Sequence, residues 1–295
     1  MSAMIKHRQN GFTIIELMIA VAIGLVITIA VTYAYLSGLG TQQAQTSLSR
    51  AQESSRFAFD LLGSSFRKAG YKNPAAPGSA FCDGTKPPAA AGICDSPTTT
   101  PRLVVLNDPS TIDPTATNLV GTTINISNNS DVIRVRYYGE GLTINPFTAD
   151  GTVTDCLGNA VAANAFVEDT FFVAPDAGND GEPTLFCYSS NAPASGNVAL
   201  IPGVEDMQIL YGEDNMSDDC YGIVDRYVPG SVVTDVNNVR SIMLSIVTRT
   251  KETTAVDRSA RTFNHFGTTI KTYAADGRTR QLNSTTIALR NLCPV

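Results

Sequence analysis

The chain has 295 residues, a formal charge of −6, 16% charged residues, no tryptophan and six cysteines. That length allows a membrane segment plus one or two globular units, and an acidic chain without a basic block argues against a dedicated nucleic-acid surface. All six cysteines follow residue 80, which fits an oxidising compartment and up to three disulfides.

The first element is the N-terminal apolar stretch. Residues 1–11 carry Lys6, His7 and Arg8 and end in Asn10-Gly11. From Phe12 to Leu36 the only charge is Glu16, and the twenty residues from Leu17 to Leu36 have none. As a helix they span the ~30 Å hydrocarbon core of a bilayer. Cations on the leader side predict a cytoplasmic N-terminus and an exported remainder. The apolar run exceeds the usual h-region of about 7–15 residues, and no clear Ala-x-Ala site follows, so an ordinary secretory signal fits poorly. An ordinary signal anchor is the plain alternative. Glu16 needs a partner, since a carboxylate in a membrane helix is costly. A cut after Gly11 would supply one: the new α-amine of Phe12 lies about one helical turn away, on this chain or on a neighbour. Losing Lys6 and Arg8 with the leader would take the charge from −6 to −8.

Beyond Leu36 the sequence turns polar, with no proline before Pro74. Leu48, Ala51, Ser55, Ala58, Phe59, Leu62 and Phe66 recur at steps of three and four, the pattern of an amphipathic helix. Arg67 and Lys68 suit a helix C-terminus, and Gly70 suits the residue after it. One helix is therefore expected from Phe12 to about Lys68, about 85 Å long at 1.5 Å per residue. Its membrane part is 12–36 and its outer part 37–70, with Gly38 and Gly40 as places where it could loosen. The rest, 71–295, reads as a globular β-rich domain. Residues 73–101 and 139–183 read as irregular insertions, apart from a strand candidate at Phe166–Val173. Other strand candidates are Leu103–Leu106, Thr122–Ile126, Asp131–Tyr138, Thr184–Ser189, Val204–Tyr211, Val239–Thr250, Thr268–Tyr273 and Thr285–Arg290, with a turn at Asn128-Asn129-Ser130. In Val239–Thr250, Ile242, Leu244 and Ile246 share one face, and Ser241 and Ser245 the other.

Gly11 followed by Phe12-Thr13-Ile14-Ile15-Glu16-Leu17-Met18-Ile19-Ala20-Val21-Ala22-Ile23-Gly24 resembles the class III signal of type IV pilins and type II secretion pseudopilins. The outer segments Arg56-Phe57-Ala58-Phe59-Asp60-Leu61-Leu62, Arg67-Lys68-Ala69-Gly70-Tyr71, Gly203–Gly212, Asp225–Val228 and Leu289-Arg290-Asn291 resemble PilW-type minor pilins. The resemblance implies an α+β pilin fold, a long helix packed on an antiparallel sheet. It implies cleavage after Gly11 by a prepilin peptidase, N-methylation of Phe12, and docking of Glu16 against a neighbour's N-terminus. It implies an inner-membrane protein with a cytoplasmic leader and a periplasmic domain, later built into the pilus. Its partners would be other minor pilins, the major pilin and the inner-membrane assembly machinery, with a role in priming the pilus and a place near its tip. A type II secretion pseudopilin, and a tip adhesin or DNA-binding module, are the competing readings.

Six cysteines allow fifteen pairings. Neighbour order favours Cys82–Cys94, Cys156–Cys187 and Cys220–Cys293, the third resembling the C-terminal loop clamp of many pilins. The acidic stretch from Glu213 to Asp219, with Asp225 beyond, reads as a solvated loop. Calcium held by Asp214, Asp218, Asp219 and Asp225 is the alternative, but the stretch departs from the Asp-x-Asp-x-Asp-Gly alternation of related sequences. Of the two histidines, His7 belongs to the leader and His265 stands alone as a surface or packing residue. No Cys-x-x-Cys, His-Glu-x-x-His, Walker or Gly-x-Ser-x-Gly pattern occurs, and a Ser-His-Asp set has no local support. Neither enzymatic activity nor a cofactor is expected.

Overall fold

A computed structural model describes residues 11–71, 103–106, 130–140, 149–163, 165–214, 223–233, 236–253, 259–267 and 269–290. The chain divides into two units, residues 1–47 and 48–295. The first helix, α1, is continuous over Ile14–Lys68 and contributes to both.

In the first unit α1 is long and apolar enough to cross a membrane, and its large apolar side chains from Phe12 to Leu36 are all exposed. Its two mid-span threonine hydroxyls are satisfied inside the helix: Thr28 Oγ1 donates to Gly24 O at 2.7 Å, and Thr32 Oγ1 to Thr28 O at 2.8 Å. That is what a segment without water requires. Gly38 and Gly40 do not interrupt the helix.

In the second unit the three-and-four stripe becomes a buried edge. Ala51, Ser55, Ala58, Leu62, Phe66 and Ala69 are buried, whereas Leu48 lies outside the stripe. The helix ends where Gly70 takes φ +73°, a left-handed geometry that glycine adopts without penalty. The Gly70 N–H then donates to Arg136 O at 2.8 Å, tying the helix end to a strand.

Among the described residues, the β part consists of two antiparallel sheets and a hairpin. The five-stranded sheet runs β1 (Leu103–Leu106), β2 (Val132–Tyr138), β3 (Phe166–Asp176), β4 (Glu182–Ser189) and β5 (Val198–Pro202) in chain order. The four-stranded sheet has the order β11 (Arg280–Ala288), β8 (Val239–Arg249), β6 (Val204–Glu213), β7 (Arg226–Pro229). Strands β9 (Arg261–His265) and β10 (Thr269–Tyr273) form the hairpin. The expected α+β class, with a long helix on antiparallel sheet, is the class observed.

Several local expectations need correction. The irregular insertion expected through residue 183 gives way at Phe166 to β3, which extends to Asp176 and turns through Asp180 and Gly181, both at positive φ, into β4. The last strand starts at Arg280 rather than Thr285, because all of Arg280–Ala288 pairs with β8 in unbroken register. Strands β5, β7 and β9 were not anticipated; each is only four or five residues long, too short for a clear alternation. The proposed strand Thr122–Ile126 and most of the turn after it lie outside the described residues. Among those described, β2 pairs with β1 and β3.

The core lies where α1 meets both sheets. Ala58, Leu62 and Phe66 join Ile133 and Val135 of β2, Phe171 of β3, Leu185 of β4, Met207 and Ile209 of β6, and Ile242, Leu244 and Ile246 of β8. Phe66 meets Phe171 edge to face at 6.3 Å. Truncating Phe66 to Ala is expected to cost about 3–5 kcal/mol, as deletion of a fully buried ring does. Thermal or denaturant melts of the detergent-solubilised protein measure this, and a loss below about 1 kcal/mol would mean that α1 is not integral to the core.

Charged side chains clasp the sheets where apolar contact ends. Arg249 of β8 bonds Glu182 of β4 at 3.0 Å and Glu205 of β6 at 3.3 Å. Arg280 of β11 continues the chain to Glu205 at 2.6 Å and to Asp276 at 2.8 Å. The Arg280 hydrogen bonds hold the Asp276 carboxyl down at about 2.

Candidate functional site

The N-terminal segment begins with Gly11 and Phe12, both exposed and outside the helix. Thr13 precedes α1, and its N–H and hydroxyl both donate to Glu16 Oε2, at 3.0 and 2.9 Å. The Glu16 N–H donates back to Thr13 Oγ1 at 3.3 Å. This is a reciprocal capping box, which satisfies two of the donors left over at a helix start and places a negative charge against the positive end of the helix dipole. The sequence reading sought the partner of Glu16 in the α-amine of Phe12, on this chain or a neighbour, and missed Thr13, although Thr13-Ile14-Ile15-Glu16 has the required spacing. Both bonds fall on Oε2, so the carboxylate is oriented within its own subunit.

At the other end of α1, Lys68 crosses onto the loop that carries Cys156. Its ammonium donates to Thr154 O at 2.6 Å and lies 5.0 Å from the centre of the Tyr137 ring. Burial lowers the Lys68 pKa, while the Asp169 and Asp155 charges act in the opposite direction. Asp169 accepts from Tyr137 OH at 2.6 Å and from the Cys156 N–H at 3.0 Å. Burial is the chief cause of its carboxyl rising to about 6. The Cys156–Cys187 disulfide joins this loop to β4. Cys156, Cys187 and Asp169 sit close enough to suggest a metal site, but both sulfurs are spent in the disulfide, so no thiolate is available. Cys82, Cys94, Cys220 and Cys293 lie outside the described residues.

Two of the four calcium candidates, Asp214 and Asp225, are described. Asp214 is buried with Arg240 Nε 3.4 Å from its Oδ2, and the Asp225 N–H donates to Glu213 O at 2.9 Å. Glu213 also binds Arg226 at 3.0 Å. Asp218 and Asp219 lie outside the described residues. Where the loop leaves and re-enters the sheet, therefore, carboxylates are matched by guanidinium groups.

The densest polar cluster is centred on Asp206 of β6, which the sequence reading did not single out. Its Oδ1 accepts from Ser130 Oγ at 2.8 Å, Gln208 Nε2 at 3.0 Å and Lys271 Nζ at 3.0 Å. Its Oδ2 accepts from Tyr273 OH at 2.7 Å. Ser130 in turn accepts from the Met207 N–H at 2.7 Å. Lys271 and Tyr273 come from β10, so Asp206 fastens the hairpin over the second face of β6 and β8. On that face Ser245 is buried against His265 of the hairpin, while Ser241 is buried beside Tyr227 of β7, to whose hydroxyl it donates at 3.0 Å.

His265 belongs to the same cluster and is fully buried. Its Nδ1 is 2.9 Å from Ser245 Oγ, and its Nε2 is 3.5 Å from Asp206 Oδ2. The fold thus assembles a serine, a histidine and an aspartate for which the sequence offered no local sign. Ser245 is only 1% exposed, which leaves no approach for a substrate carbonyl. Burial lowers the His265 pKa against the opposing pull of Asp206, so the ring packs in its neutral form at pH 7.

Known proteins supply two matching regions. The family model for the type IV pilus-assembly protein W matches residues 170–291, from within β3 to just past β11. The model for the prokaryotic N-terminal methylation motif matches residues 6–32. Among solved structures, a type IV-like pilin from Thermus thermophilus is similar at 13% identity and a TM-score of 0.32, over 57% of this chain and 82% of that one. Curated proteins gave no match.

Proposed function

We propose, from the family matches over residues 170–291 and 6–32, that the chain is a PilW-type type IV pilin, a minor subunit that helps to prime a type IV pilus and sits near its tip. Pilins of this kind are structural proteins that assemble with other pilins, and the N-terminal motif with its apolar helix fits membrane anchoring. In the proposed sequence of events a prepilin peptidase removes residues 1–11 and Phe12 is N-methylated. The chain then waits in the inner membrane with its domain in the periplasm, and Glu16 docks against a neighbouring N-terminus during assembly. Residues 12–36 serve as anchor and filament core, 37–70 as the outer helix, and 71–295 as the presented domain. No catalytic role is proposed.

The observation that carries this reading is the continuity of α1. A methylation motif at its start and a buried stripe at its end lie on one helix, Ile14–Lys68. Deletion of the gene is the test. Surface pili should be lost or sharply reduced, while the major pilin stays in the membrane and type II secretion continues. Normal pili with defective secretion would instead identify a pseudopilin.

A further inference from the structure

Around Asp206 and along the Glu182–Arg280 clasp, buried carboxylates face cations. Asp131, at the entry to β2, is different. It is half-buried, its Oδ2 accepts from the Ile209 N–H at 2.7 Å, and among the described residues no cation lies within ion-pair distance of it. Tyr211 of β6 is only 2% exposed, and its hydroxyl makes no hydrogen bond to the described residues. Both side chains line one cavity of about 90 Å3, together with Gln208, Ser231, Phe266 and Thr269. Neither the Asp131 carboxylate nor the Tyr211 hydroxyl is sealed from solvent, so both open onto this recess, and a ligand that brings a cation and N–H donors can pair with both at once.

The dimensions and the donor set restrict that ligand. The cavity is well below the roughly 300–1,000 Å3 of pockets for drug-sized molecules, which excludes a nucleotide or an oligosaccharide. One carboxylate is too few for a calcium site, which takes about six to eight oxygens and usually several acidic ones. A primary ammonium is compact and carries three donors, enough for Asp131, the Tyr211 oxygen and one polar group of the rim. Behind the cavity the Asp206 carboxylate and the Lys271 ammonium lie 3.0 Å apart and offset each other at Asp131, and burial lowers the His265 pKa. We propose that the Asp131–Tyr211 recess receives a primary ammonium group, supplied by a lysine side chain of another pilus subunit or by a free alkylamine.

The recess also has a built-in pH limit. Burial, reinforced by the Asp206 charge and opposed by the Ile209 N–H and by Lys271, pushes the Asp131 carboxyl up to about 6. The site is therefore anionic at pH 7.5 and neutral at pH 5, so ammonium binding is lost as pH falls through that value.

The test titrates n-butylammonium into the full processed chain in detergent micelles at fixed ionic strength, following amide NMR shifts of Ile209, Tyr211 and Thr269. Saturable shifts are expected at pH 7.5, and none with tetramethylammonium, which has no N–H donor. Affinity should fall about 10–100-fold in Asp131→Asn and at pH 5, and about 2–10-fold in Tyr211→Phe. Absence of saturable shifts, equal response to tetramethylammonium, or unchanged affinity in a folded Asp131→Asn variant would overturn the proposal. Should Asp131→Asn fail to fold, unchanged affinity at pH 5 or in Tyr211→Phe would do the same. Zero-length carbodiimide cross-linking of assembled pili identifies the source. An Asp131–lysine peptide joined to another subunit indicates the side chain, and butylammonium binding without that product indicates a free amine. The ammonium recess does not depend on the proposed pilus role, since the titration uses the isolated subunit; only the lysine source rests on that role.

Discussion

Glu16→Ala is expected to leave the protein in the membrane and to lower its incorporation into pili by at least about tenfold. Removing a carboxylate makes an apolar helix easier to insert, because on insertion scales the charge costs on the order of 2.5–3.5 kcal/mol near the membrane centre. A charged pair between Glu16 and a neighbouring α-amine would be strongest in the poorly solvated core of a filament, and its loss there easily exceeds the 1.4 kcal/mol that corresponds to tenfold. The capping box refines the experiment. Thr13→Ala removes the hydroxyl that orients Glu16 but keeps the carboxylate, so it should give an intermediate defect. Immunoblots of sheared pili and of membrane fractions measure both variants. Normal incorporation of Glu16→Ala, with normal association with other minor pilins, would refute the docking role.

Asp206→Ala is expected to cause the largest loss of stability of any single polar substitution in the β domain. Four side-chain donors converge on this carboxylate from the approach to β2, from β6 itself and from β10. Removing one member of a buried charged pair costs about 3–5 kcal/mol, because the remaining partners stay buried and unsatisfied. For a domain of this size that is a fall in melting temperature of about 6–20 °C. The hairpin should also loosen before the sheets melt, exposing residues 259–273 to limited proteolysis. Asp206→Asn keeps the shape and two acceptor sites, and should retain part of the stability. A melt within about 1 kcal/mol of the parent, with an equally protected hairpin, would show that the cluster contributes little to the fold.

The two substitutions also mark how far the sequence can be read. Glu16 stands out because it is the only charge in twenty-five residues. The capping box, also local, was available in the spacing Thr13-x-x-Glu16 and was passed over in favour of the Phe12 α-amine. Asp206 gives no such signal. It sits within Gly203–Gly212 as one acidic residue among apolar ones, and its partners lie 65 to 76 positions away, apart from Gln208. Similarly, alternation along β8 separated Ile242, Leu244 and Ile246 from Ser245, but alternation reports only that two faces differ. It does not report that a hairpin covers the second face, or that His265 lies against Ser245.

The amino-acid sequence by itself determined the membrane-length apolar helix, the buried stripe that continues it, the stop at Gly70 and the α+β class. Each follows from composition or from a period of two to four residues, which neighbouring positions impose on one another whatever the rest of the chain does. Only the tertiary structure decided which strands lie side by side, that β6 and β8 are buried on both faces, and that Asp206 gathers its donors while Asp131 is left facing a cavity. Those outcomes depend on residues far apart in the chain meeting with complementary charge and shape, and no local pattern encodes which distant partner will be opposite.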